Sequence, residues 1–274
     1  MVWKITPLFA EWISSVSSNS LWTHPNTPLS PRSGSTTVVE LGCGISGLLA
    51  LALGPKVGYY IATDQEYVHR LLRENLVENK ALAYKSSSSS SSGQKGRGGQ
   101  KKRTAAAAAS SQKGQHVDDS NISFTALDWE LDEPDTLKQS VGIMPLTTTT
   151  TTTGGKHEDE DEDEDKGFDL LLSCDCIYNE ALIVPFVRTC ADICRLRPAY
   201  NPEKANGESP GGKKNPTVCI IAQQQRSPDV FEAWLEETLK VFRVWRLNDE
   251  VLGDGLKSGT GYVVHFLALR ENIQ

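Results

Sequence analysis

Residues 38–47 read VVELGCGISG: an apolar run that has the look of a buried parallel strand end, followed at once by glycines at 42, 44 and 47. A helix is expected to open near Ser46, so the glycines fill a strand-to-helix turn. Glycine there permits a tight reversal and lets the backbone approach a ligand where a Cβ would collide with it. Two cofactor classes use such a turn. A dinucleotide needs G-x-G-x-x-G, which Gly42, Gly44 and Gly47 match literally. S-adenosylmethionine carries a sulfonium and an ammonium instead of a pyrophosphate, and an acid just ahead of the glycines suits it, as Glu40 stands here. A structural turn without ligand is the plain alternative.

An acid at the end of the next strand accepts hydrogen bonds from ribose hydroxyls in both classes. Asp64 closes the β-rich run GYYIATD, 22 positions after Gly42. Later positions discriminate. After a third strand-like run, ISFTAL, comes Asp128-Trp129, and after a fourth, FDLLLS, comes Cys174-Asp175-Cys176-Ile177-Tyr178. In a doubly wound sheet all of these follow carboxyl ends of strands and share one rim. There the Trp129 indole can stack on an adenine and the Asp128 carboxylate can take its exocyclic amine; a half-buried tryptophan capping the sheet is the bland reading.

Strands are expected near 37–41, 58–63, 121–126, 168–173 and 217–222, with helices near 46–53, 66–80, 180–196 and 228–240. Two further strand-like runs, VFRVWRL and GYVVHFLAL, follow the last helix. With no helix between them they imply an antiparallel edge, which a dinucleotide fold does not require.

VWK near the start, ELGCG, TD, LDW and D-C-I-Y, in this order, resemble the seven-β-strand protein-lysine methyltransferases of methyltransferase family 16. The likeness covers nearly all of the chain outside three low-complexity inserts, and the joint order of the motifs is more specific than any one of them. It implies an α/β class I methyltransferase fold: a doubly wound, Rossmann-like, seven-stranded sheet, mostly parallel with a reversed last strand. It also implies S-adenosyl-L-methionine as cofactor and a protein substrate, a large-subunit ribosomal protein. Carried over residue by residue, Trp3, Glu40, Gly42, Cys43, Gly44, Asp64, Asp128, Trp129 and Cys174 would line the cofactor. Cys174 stands where relatives often have a small residue, which leaves its backbone as the contact. Asp175 and Tyr178 would be catalytic: methyl transfer is an in-line displacement governed by positioning and desolvation, so Asp175 would orient the lysine amine and Tyr178 wall its channel. As a helix N-cap Asp175 lies too early, and Asn179 is better placed. Family members usually carry a further segment ahead of the tryptophan that Trp3 matches.

Composition agrees. The chain has 274 residues, 38% hydrophobic, and without its inserts about 190 residues remain, enough for a single domain. Those inserts are read as disordered loops at about 85–118, 137–166 and 200–215. The first holds seven consecutive serines and a basic tract, the second seven threonines and eight consecutive acids from Glu158 to Asp165, and the third is rich in Gly, Pro and Lys. Such charge runs are usually solvated chain, with incidental ribosomal RNA contact for the basic one. No run of 18 apolar residues or cleavable leader is evident, so a cytoplasmic or nuclear monomer without a membrane segment is expected. The six cysteines lie in core elements or site turns, not in a secreted framework, and their spacing argues against metal. Two alternatives stay open: a front-truncated cofactor-binding or interaction protein, and a nicotinamide oxidoreductase, which leaves Glu40, Asp128-Trp129 and the reversed strand unexplained.

Overall fold

A computed structural model describes residues 3–24, 29, 36–88, 121–143, 166–197 and 215–270. Seven strands form one sheet: β1 (Thr37–Leu41), β2 (Tyr59–Asp64), β3 (Ile122–Ala126), β4 (Leu170–Cys174), β5 (Val218–Gln224), β6 (Phe242–Arg246) and β7 (Tyr262–Leu269). Their spatial order is β3-β2-β1-β4-β5-β7-β6. The first five are mutually parallel, and β7 runs antiparallel to both β5 and β6. The last strand of the chain is reversed, as expected, but it is not the edge. It inserts between β5 and β6, so β6 is the outermost strand.

Among the described residues the α-helices are α1 (Ile5–Ser14), α2 (Ser20–Thr23), α3 (Leu48–Leu53), α4 (His69–Ser88), α5 (Leu137–Ser140), α6 (Ile183–Arg195), α7 (Pro228–Val241) and the short α8 (Asp249–Leu252) between β6 and β7. Central strands read as apolar runs because both sheet faces are covered. In β1, Val38 joins a core with Phe9 of α1, Leu49 of α3 and Leu72 of α4, while Val39 and Leu41 join a second core with Phe186 of α6 and Trp234 of α7. Helix α1 had no counterpart in the sequence reading. Its apolar residues Ile5, Leu8, Phe9, Trp12 and Ile13 follow i, i+3, i+4, i+7, i+8, and Ile5, Phe9 and Ile13 are fully buried.

Two insert boundaries shift. Backbone hydrogen bonding carries α4 through Ser88, past the expected start of the first insert. Residues 137–143, assigned to the second insert, contain α5, and Leu137 is 4% exposed in the second core. Apart from the end positions 166 and 215, the remaining insert positions lie outside the described residues. No described helix is long and apolar enough to cross a membrane.

Candidate functional site

The carboxyl ends of β1, β2, β4 and β5 form one rim because these strands are parallel. After β1 the chain turns through Gly42 (φ +69°) and Gly44 (φ +62°), both in the left-handed region that favours glycine. The two glycines are needed for different reasons. A Cβ on Gly42 would sit 2.3 Å from Cys176 Sγ and 3.4 Å from the Trp129 ring, whereas a Cβ on Gly44 would meet nothing within 4 Å. Space for a ligand therefore lies over Gly44, and Gly42 is where the turn packs against the protein. At Gly47 a Cβ would strike Leu72 and Leu76 at 2.8 Å, so close helix packing is its reason. Asn75 of α4 anchors the turn by donating to the Ile45 carbonyl at 2.6 Å.

Asp64 sits where β2 ends, and its carboxylate accepts from the Gly44 N–H and the Gln65 N–H, each at 2.8 Å. Partial burial raises its pKa, and these two bonds oppose the rise. Glu40 lies deeper, 2% exposed, accepting from the Tyr60 hydroxyl at 2.7 Å. Burial pushes its pKa to about 7 against the lowering effect of Tyr60, and the charge of Asp64 adds to the rise. A cation placed near Glu40 would favour its ionised form. Asp128 accepts from Gln65 Nε2 at 2.9 Å and from the Glu130 N–H at 2.8 Å, bonds that lower its pKa.

Trp129 is placed differently from the expectation of a free stacking face. Its ring abuts the Gly42 turn and meets Phe186 edge-on, centroids 5.0 Å apart, and its buried Nε1 has no partner among the described residues. Its carbonyl accepts from Arg188 at 2.8 Å, so α6 clamps it. Buried Cys43 donates its N–H to Thr63 at 3.0 Å, and buried Cys174 approaches Thr6 of α1 with its Sγ 3.8 Å from Oγ1. Burial raises both thiols well above their ordinary range. All six cysteines are free. Among the described residues no three His, Cys, Asp or Glu side chains gather as a metal site.

Asp175 departs most from the sequence picture. It is the one non-glycine residue with positive φ (+63°) among those described, and its side chain is fully buried. Both carboxylate oxygens accept from Arg226, one of them from Nη1 at 2.8 Å, and the Gln224 N–H adds a 3.2 Å bond. The Arg226 guanidinium in turn lies over the Trp3 ring, 4.7 Å from its centroid. The carboxylate expected to be free at the channel is thus shielded by a cation from 51 positions further along the chain. Tyr178 is 61% exposed at the rim; burial first, then Cys176, Tyr67 and Asp64, raises its phenol. Asn179 accepts from the Ala181 N–H at 3.2 Å and so caps the 3-10 turn Glu180–Leu182 that leads into α6, whose own N-cap, Leu182, makes no side-chain capping bond. Two larger hollows of about 500 and 600 Å³ run along α4, and none of the predicted site residues lines them.

A seven-stranded sheet in this order, with β7 alone reversed and a glycine turn after β1, is the class I methyltransferase fold. No family profile matches the chain. Four curated fungal proteins called ribosomal lysine N-methyltransferase 5 match at 25–28% identity over 87–98% of it. That of Zygosaccharomyces rouxii is 28% identical, covering 87% of this chain and 63% of its own, and that of Vanderwaltozyma polyspora 26% identical, covering 92% and 70%. The chain thus spans about two thirds of the length of these relatives. Among solved structures, the N-methyltransferase NodS from Bradyrhizobium japonicum, in complex with S-adenosyl-L-homocysteine, aligns with a TM-score of 0.44 and 11% identity over 98% of this chain and 92% of its own, a likeness that adds nothing to the sheet order.

Proposed function

We propose that this chain is an S-adenosylmethionine-dependent protein-lysine N-methyltransferase acting on a protein of the large ribosomal subunit. The observation that carries this reading is the single rim that gathers the Gly42–Gly44 turn, Asp64, Asp128 and the Asp175–Tyr178 loop; the name of the fungal relatives supports the lysine and the ribosomal target. Open space over Gly44, acids at Glu40 and Asp64, and an Asp128 held ionised suit the methyl donor. The donor, when bound, supplies a methyl group on a sulfonium, already activated for displacement. Glu40 and Asp64 would face its ammonium and ribose, and Asp128 its adenine amine. Trp3, Gly42, Cys43, Trp129 and Cys174 would close the walls.

For the protein there remains the amine. Tyr178, exposed at the rim, would hold the lysine's aliphatic stem and exclude water. Asp175 meets an amine only when Arg226 yields; otherwise its part is to fix the left-handed turn that aims Tyr178. Transfer should rise with pH as the substrate amine becomes neutral, since only the free base carries the attacking lone pair.

The test uses labelled methyl donor and ribosomes from cells lacking the protein. Label in a large-subunit protein is expected. Label only in nucleic acid or small metabolites would sink the lysine assignment. A second reading, a cofactor-binding protein without transfer, draws on the Asp175–Arg226 pair, which occupies the carboxylate that would orient the amine. Binding of S-adenosylhomocysteine, on the order of micromolar, with no label anywhere would favour it.

A further inference from the structure

Where β5 turns into α7, a cavity of about 70 Å³ opens against the β4 loop, lined by Ile177, Tyr178, Gln223, Ser227, Val230 and Phe231 among others. Gln223 is 2% exposed, and its Nε2 has no hydrogen-bond partner among the described residues. A buried amide donor left unpaired is costly, so its retention points to a partner acquired in a working state. Trp234 Nε1 and His265 Nδ1 are unpaired too, but neither residue lines the cavity. The same corner holds the N-terminus of α7, a 14-residue helix whose N-cap, Ser227, makes no side-chain capping bond. First-turn N–H groups have no partner inside their own helix. Gln223 and the first turn of α7, through Ser227, Val230 and Phe231, thus border the same small cavity.

Charge narrows the partner. Arg226 also lines the cavity, but its guanidinium is engaged by Asp175 and by Gln224 Oε1. Asp229 sets a negative charge in the first turn of α7. A neutral acceptor suits this balance better than an anion. Tyr178 is shared between the cavity and the exposed rim where the lysine channel is proposed.

We propose that this cavity is a subsite for a main-chain peptide carbonyl of the substrate polypeptide, flanking the target lysine and accepting from Gln223 Nε2. The inference rests on the reading of the chain as a protein methyltransferase, and it supplies what a lone lysine side chain lacks: a register for the polypeptide that carries it.

Two measurements test it. The first follows the side-chain amide signals of Gln223 in ¹⁵N-labelled full-length protein, assigned by their loss in Gln223→Leu, during titration with N-methylacetamide. A saturable shift is expected. A saturable shift with acetate alone would make this an anion site and overturn the proposal, as would no shift with either probe. The second compares kinetics on ribosomes. Gln223→Leu should raise KM about tenfold and leave kcat and S-adenosylhomocysteine affinity within about twofold of wild type. An unchanged KM would overturn the subsite, and so would loss of cofactor affinity in step with KM, which marks a purely structural residue. Should wild type label no ribosomal protein, the proposed function fails, while the titration still decides the subsite.

Discussion

The rim has two corners that place the backbone in the left-handed region, and they do so by opposite means. At the β1 corner the positive φ values fall on glycines, which adopt them at little steric cost. At the β4 corner the positive φ falls on Asp175, held there by Arg226 from 51 positions away and by the Gln224 N–H. The β1 corner is thus built from local backbone freedom, and the β4 corner from a long-range ion pair that overrides a local preference. A corner of the first kind tolerates change elsewhere in the protein. A corner of the second kind depends on a partner brought by another strand.

The largest expected effects separate the two glycines. Gly42→Ala would force a Cβ into Cys176 in addition to straining φ, so a stability loss of about 2–4 kcal/mol is expected from denaturant unfolding. Gly42 variants, Gly42→Arg included, accordingly report on packing and not on ligand space. Gly44→Ala carries only the strain, about 1–2 kcal/mol, but its methyl enters the open cradle. Its signature should be at least about a tenfold loss of S-adenosylhomocysteine affinity by calorimetry; wild-type affinity would show that the ligand lies elsewhere.

Next comes the ion pair. Arg226→Ala strands a buried carboxylate, and about 3 kcal/mol of stability should go with it. Combining it with Asp175→Asn should recover part of that loss, so a double-mutant cycle reads the coupling. Additive losses would mean that the pair does not hold the turn. Asp175→Ala alone should leave S-adenosylhomocysteine affinity nearly intact and remove methyl transfer, whereas full activity would reduce Asp175 to a structural role.

Glu40 gives a smaller, pH-dependent effect. In the folded protein it keeps its proton up to about 7, against an ordinary value of 4.5, because it is buried. The folded state therefore binds more protons than the unfolded chain across this interval, and stability falls as pH rises from about 4.5 to about 7. The fall amounts to about 3 kcal/mol. Glu40→Gln keeps an acceptor for Tyr60 and should be the more stable protein at pH 8 and not at pH 4, as thermal unfolding would reveal. Wild-type affinity for S-adenosylhomocysteine should climb through pH 7 as Glu40 ionises, with Glu40→Gln flat; parallel profiles would remove Glu40 from the ammonium's surroundings.

The smallest effect belongs to the low-complexity tracts. Replacing 91–118 and 148–165 with short Gly-Ser linkers should leave cofactor affinity and melting temperature almost unchanged, because such compositions bury little apolar area and loop-closure entropy varies slowly with length. An unfolded product would mean that these tracts belong to the domain.

Much of the scaffold was legible because its signals are local. Apolar runs bounded by glycine or aspartate gave the five parallel strands, and the glycine spacing gave the turn, since backbone freedom is a property of the residue itself. Helix α1 carries an equally local signal, the 3.6-residue period of Ile5, Leu8, Phe9, Trp12 and Ile13. What the sequence by itself determined, then, is the doubly wound sheet, the reversed β7 and the rim on which Gly42, Asp64, Asp128 and Asp175 fall. Tertiary structure alone decided that β7 slots inside β6, that Gly44 and not Gly42 borders open space, that Trp129 is wedged against Phe186, that Arg226 covers Asp175, and that Gln223 is buried without a partner. Each of these depends on two or more segments distant in the chain, and burial, ion pairing and unsatisfied donors are properties of such pairs, with no mark on either residue alone.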